Sequence, residues 1–275
     1  MEIAVLSGKG GTGKTTLATN LAFVQKKCIL IDTDVEEPNS HIFLKPKELN
    51  RKIITTEYPN VDKSKCVLCG DCGDFCRYNA ILPAKNKVLV FKEMCHDCGG
   101  CKLVCKHDAI HYEKQEIGSM YFGETAYGFN IKYGDLKVGA VSGVKIIETL
   151  KSSLVKEDLI FIDSPPGTSC STVAAVKDAD YAVIVSEPTP FGVSDMKMVV
   201  EMLRNMNILF GVVINKAGLG DNEIYEYCEE ENIRILGEIP FEKRFARAYA
   251  NGEILSNVFD EYRNYMQNIL NKISN

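Results

Sequence analysis

Eight of the chain's eleven cysteines lie between Cys66 and Cys105, in two runs of identical spacing. Cys66, Cys69, Cys72 and Cys76 form the first run, and Cys95, Cys98, Cys101 and Cys105 the second. Each reads C-x2-C-x2-C-x3-C, and every position recurs 29 residues on. Thiolates packed this closely repel one another unless they share a cation. Three near ligands followed by a fourth suit 4Fe–4S ligation. Structural zinc is more often held by two separated pairs, so zinc is the weaker reading.

A second chemistry lies at the start of the chain. Apolar Ile3–Leu6 leads into Ser7, Gly8, Lys9, Gly10, Gly11, Thr12, Gly13, Lys14, Thr15 and Thr16, which open a helical pattern. Strand, glycine loop and helix in that order are the context a phosphate loop requires. Without Cβ atoms in the way, backbone N–H groups converge on phosphate oxygens, and the helix N-terminus adds partial positive charge. Lys14 is expected to reach the β- and γ-phosphates of ATP, Thr15 to ligate Mg²⁺ and Thr16 to donate to the α-phosphate. Two further apolar runs end in carboxylates: Cys28–Ile31 before Asp32 and Asp34, and Leu159–Ile162 before Asp163.

Both motif sets resemble known families. The cysteine runs are similar to those of bacterial two-cluster ferredoxins. That resemblance implies exchange of the fourth ligand, giving one cluster Cys66, Cys69, Cys72 and Cys105 and the other Cys95, Cys98, Cys101 and Cys76. The usual proline after each fourth cysteine is replaced by Arg77 and Lys106, while Asn79-Ala80-Ile81 recurs as Asp108-Ala109-Ile110. Lys9 through Thr16 resembles the deviant Walker A loop of the MinD/ParA/Mrp superfamily, which includes the nitrogenase iron protein. The resemblance implies that Lys9 reaches the partner's phosphates across an ATP-dependent homodimer and that Asp34, in switch I, positions the attacking water. Asp163 through Thr168 would be Walker B and switch II, with Asp163 holding Mg²⁺ through water. Asn215-Lys216 would contact adenine, and the loop containing Pro240 would pack on the base. The whole chain resembles MinD-superfamily ATPases with an inserted ferredoxin domain.

The elements that must position these residues form an α/β fold, a mostly parallel sheet with helices on both faces, interrupted by an α+β ferredoxin-like module. The expected organisation is a first ATPase segment over 1–57, the two-cluster insert over 58–115 and a second ATPase segment over 116–275. Tyr181–Ser186 and Ile208–Ile214 read as buried strands, Ile117–Gly139 as a β-ribbon and Val144–Leu154 as a helix. Val258–Ile273 reads as a terminal helix docked on the sheet. Asp260 and Glu261 beside Arg263 and Lys272 deny it the cationic face that anionic lipid attracts. Cys28, expected in a strand, and Cys228, in a helix, read as core. Cys170 reads as a switch II packing residue, or as a ligand to a transient centre shared across a dimer. His96, His107 and His111 read as solvated.

A chain of 275 residues with net charge −5 accommodates one large core and a small module, and argues against a general nucleic-acid surface. No apolar run reaches membrane-spanning length, and no signal peptide precedes the first strand, so the expected location is cytoplasmic with reduced thiols. These features point to a Mg²⁺-dependent ATPase passing electrons to a redox or metallocluster partner protein. The alternatives are iron–sulfur assembly or carriage, redox-sensing regulation, and positioning. Positioning is weakest because it leaves the cysteines without a task.

Overall fold

The computed structural model describes residues 1–154 and 159–274; residues 155–158 and 275 of the expected 116–275 segment lie outside the described residues. Its strands are β1 (Glu2–Leu6), β2 (Ile29–Asp32), β3 (Asn50–Val61), β4 (Ile81–Pro83), β5 (Val88–Val90), β6 (Ile110–Glu124), β7 (Asn130–Leu136), β8 (Ile160–Asp163), β9 (Tyr181–Ser186), β10 (Leu209–Ala217) and β11 (Ile235–Pro240). The chain divides into two compact units.

The first unit comprises Met1–Lys52, Met120–Asp135 and Ile146–Asn275. Its strands run in the order β11-β10-β9-β1-β8-β2-β7, and each neighbouring pair is parallel. Continuous Val/Ile/Ala runs form them because both faces are covered. Ile3, Val5, Leu30, Phe161 and Val183 join one core with Leu17 and Leu21 of the helix Lys14–Gln25 and Met266 and Ile269 of the terminal helix. The alternate residues Ala4, Leu6, Ile31 and Ile162 are equally buried, and the helix Pro190–Asn205 packs on β9 and β10. From β1 the chain moves out to β2, beyond β8, and after β8 it crosses to β9 on the other side of β1. That reversal opens a crevice at the carboxyl ends of β1 and β8.

The terminal helix differs from expectation at its start. Leu255–Val258 is a separate short helix, Phe259 is extended, and the long helix begins at Asp260. Phe259 turns toward Phe245, with ring centroids 5.2 Å apart, which breaks the helical path and leaves Val258 exposed. From Asp260 on, Tyr262, Met266, Ile269, Leu270 and Ile273 are buried. Among the described residues no helix is long and apolar enough to cross a membrane. Cys28 is buried but lies just ahead of β2, its thiol 3.5 Å from the Ala22 carbonyl, and burial pushes its pKa up to about 12. Cys228 is buried in the helix Glu223–Glu230, as expected.

The second unit comprises Ile53–Ser119 and Leu136–Lys145. It contains the β4–β5 antiparallel hairpin and two short helices, Asp71–Phe75 and Gly100–Leu103. One buried cluster consists of Ile81, Cys101 and Ile110, with Cys72, Cys76 and Cys105 packed against it. The expected ribbon is present as neighbouring β6 and β7, and its turn, in which Thr125 N–H donates to the Phe129 carbonyl at 2.8 Å, belongs to the first unit. β6 starts earlier than the ribbon was expected to, at Ile110, and β3 carries no clear alternation in its Thr55-Thr56-Glu57 stretch.

Candidate functional site

The crevice at the sheet switch point has a volume of about 440 Å³. Its phosphate end is formed by Gly10, Gly11, Gly13, Lys14, Thr15 and Thr16, with Asp34 and Pro166 opposite; its far end is lined by Asn215, Lys216, Pro240, Phe241, Phe245 and Tyr249. Such a volume suits a nucleotide-sized ligand. Gly13 is left-handed at φ +100°, and a Cβ there would meet the Asn215 amide nitrogen at 2.5 Å. That amide donates to the Thr12 carbonyl at 2.7 Å, so Asn215 braces the loop as well as facing the crevice. Gly8 lies against the Asp195 backbone with no room for a Cβ. Gly8, Lys9 and Thr12 are not part of the crevice wall.

Three carboxylates meet near Lys14. Register places Asp32 of β2 abreast of Asp163 of β8. Asp32 is fully buried and accepts N–H bonds from Asp34, Asn39 and Ser40 at 3.0–3.1 Å, which folds the turn after β2. One oxygen of Asp163 accepts from the Ser40 hydroxyl at 3.1 Å. Its other oxygen, Oδ1, is buried with no partner among the described residues. Burial raises the pKa of Asp163, and the Asp32 charge adds to this, while hydrogen bonds from Thr15 and Ser40 oppose it. Burial and Asp32 push Asp34 up to about 6, with Lys14 acting in the opposite sense. Burial lowers the Lys14 pKa, and Asp163, Asp34 and Asp32 partly restore it. A buried excess of negative charge, an orphaned carboxylate oxygen and a nearby hydroxyl fit a hard divalent cation such as Mg²⁺.

All eleven cysteines are free thiols. Cys66, Cys69, Cys72 and Cys105 line one cavity of the second unit, and Cys76, Cys95, Cys98 and Cys101 line another. The backbone repeats with the sequence. Leu68 and Asp97, Gly70 and Gly99, and Asn79 and Asp108 are pairs 29 residues apart, and all six have positive φ. Such turns aim successive N–H groups inward, which favours an anionic guest. Among the described residues no three His, Cys, Asp or Glu side chains meet at a single-ion spacing; the sulfurs ring cavities instead. His96, His107 and His111 are all exposed, as expected, and His96 also stacks on Tyr78 with centroids 3.8 Å apart. Cys170 is exposed at the start of the helix Cys170–Val176.

A model of the CobQ/CobB/MinD/ParA nucleotide binding domain matches residues 3–255. The chain belongs to this family. Among its relatives, the uncharacterized protein MJ0579 of Methanocaldococcus jannaschii is 33% identical over 280 residues, covering 99% of this chain and 97% of that one. An iron-sulfur cluster carrier protein of Aquifex aeolicus is 26% identical over 91% of this chain, which spans 60% of the carrier. The septum site-determining protein MinD of Pyrococcus horikoshii, solved with Mg-ADP, superposes with a TM-score of 0.62 at 17% identity, covering 99% of this chain and 95% of MinD. The fold is thus that of a MinD/ParA-type nucleotide-binding ATPase.

Within this MinD/ParA-type site, several working residues escaped sequence reasoning. Ser40 bonds to Asp163 across 123 residues of chain. Ser256 N–H donates to Asn20 at 2.7 Å, and Asn20 in turn donates to the Thr16 carbonyl at 2.7 Å, tying the end of the chain to the loop helix. Neither pair shares a motif, so nothing local signals it. The bracing role of Asn215 was within reach, because the glycine before Lys14 leaves space that some side chain must fill.

Proposed function

We propose that the chain is a Mg²⁺-ATP-dependent dimerising ATPase that holds two 4Fe–4S clusters and couples nucleotide state to electron transfer to a partner protein. On this reading residues 58–115 are a ferredoxin-like module inserted in the ATPase. The observation that carries it is the pair of four-thiol cavities, each drawing three ligands from one run and the fourth from the other. A complete thiol set within one chain favours retention of a cluster over its donation. When bound, such clusters supply one-electron chemistry at low potential.

The chain's own groups then divide the work on ATP. The loop N–H groups and Lys14 bind the β- and γ-phosphates, and Thr15 and Asp163 would hold Mg²⁺. Asp34, on the crevice wall, orients the attacking water. Lys9 lies outside the wall of its own crevice, which supports its reaching a second copy's phosphates. Asn215 and Pro240 frame the base. Iron–sulfur carriage is the second reading, favoured by the Aquifex carrier relative.

The deciding experiment uses anaerobically purified chain. ATP affinity is measured for dithionite-reduced and oxidised protein, and cluster transfer to an apo-ferredoxin is followed in parallel. Electron coupling predicts a difference of about 5–150-fold between the two affinities and retained clusters. Equal affinities together with intact transfer to the acceptor would replace it with the carrier reading.

A further inference from the structure

The two cysteine cavities share a repeat but not their furnishings. In the second, the Tyr112 hydroxyl lies 3.0 Å from the sulfur of Cys101, a buried residue. The thiol equivalent to Cys101 in the first run is Cys72, and the residue 29 positions before Tyr112 is Pro83. A proline side chain has no hydrogen to donate. Pro83 packs over the Gly73 backbone, next to Cys72, where a Cβ would collide with its ring. The same place in the repeat thus puts a donor on the wall of one cavity, whereas in the other half it holds a proline that packs on Gly73 and has no donor to give.

A cysteine sulfur bound to iron carries no proton, so the hydrogen bond has one possible direction: Tyr112 donates and Cys101 accepts. One-electron reduction of a thiolate-held cluster adds negative charge that spreads onto the ligand sulfurs. A donor aimed at such a sulfur stabilises the reduced state more than the oxidised state. The electron comes from the external reductant, Tyr112 keeps its proton, and no covalent bond forms or breaks.

We propose that Tyr112 is a tuning residue whose O–H···S bond raises the reduction potential of the cluster held by Cys76, Cys95, Cys98 and Cys101, leaving the other cluster unmoved. This rests on the two-cluster reading above. It goes beyond that reading by making the clusters inequivalent through one hydroxyl.

The test uses the full chain, purified anaerobically, with iron counted first. Potentiometric titration with electron paramagnetic resonance then compares the wild type with Tyr112→Phe, which removes one oxygen and keeps the ring. One potential should fall by about tenfold in the reduction equilibrium, about 59 mV for a one-electron couple, and the other should hold. Both potentials unchanged, or both shifted alike, would overturn the proposal while leaving the two-cluster reading intact. A chain carrying zinc, or no cluster, would remove both together, and the iron count separates that failure from the other. Should Tyr112→Phe lose a cluster, the wild type alone decides. Electron–nuclear double resonance in H₂O and D₂O must show an exchangeable proton coupled to one reduced cluster beyond those of the backbone N–H groups, and its absence would overturn the proposal.

Discussion

Around the glycine loop, the polar groups are held by hydrogen bonds from neighbours within the fold itself. Asn215 braces the Thr12 carbonyl, three N–H groups hold Asp32, and a wide apolar core backs the strands. The cysteine unit is built the other way. Its buried cluster includes Cys101 and is packed by Cys72, Cys76 and Cys105, so the expected ligands are also the filling. A crevice of the first kind is preorganised by the fold. If it holds the proposed clusters, a cavity of the second kind draws its stability from what it binds, because thiolates without a cation repel and few apolar contacts compensate.

The largest effect should come from breaking that contrast directly. Stripping iron anaerobically should open residues 53–119 to protease, while calorimetry still detects ATP binding at the loop. Equal protection with and without iron would mean that the cysteine unit stands on its own packing. On the other side, Lys14→Ala should weaken ATP binding by about 10–100-fold, from the loss of a charge-assisted contact, without changing iron content. Calorimetric titration with Mg²⁺-ATP measures it.

Gly100→Ala sharpens the comparison within the cysteine unit. A Cβ there would run into the Phe75 ring, and the expected cost of overpacking is about 1–3 kcal/mol, read as a lower unfolding midpoint of the iron-loaded chain. The smallest effect is electrostatic. The Asp34 pKa, about 6, is above its unfolded value of about 4, so the folded chain binds the extra proton between those limits. The nucleotide-free chain should therefore lose stability as pH rises from about 4 to 6 and bear the full penalty above that window. Asp34→Asn should recover on the order of 1 kcal/mol at pH 7, a figure reduced for solvent screening, and nothing at pH 4. Denaturant midpoints at the two pH values check it.

The parallel sheet and the loop were legible because each depends on local signals: continuous apolar strands, and glycines at fixed places before a lysine. The terminal helix was legible in its face but not in its start, since Phe259 leaves the helical path to meet Phe245, a contact its own neighbours do not encode. β3 was missed because its polar Thr55–Glu57 stretch lacks the alternation that marks a half-buried strand. At the site, Ser40 and Asn20 act through partners more than 100 residues away, and spacing carries no trace of them.

The left-handed turns of the cysteine runs have a consequence for how the two halves have drifted. Asp97 and Gly99 fill theirs with residues that tolerate positive φ, whereas the matching turn of the first half holds Leu68 at φ +58°. A leucine in that conformation carries a penalty of about 1–2 kcal/mol that the second copy avoids. The second half therefore records, at Asp97, a residue that the backbone of the first half can accept at Leu68.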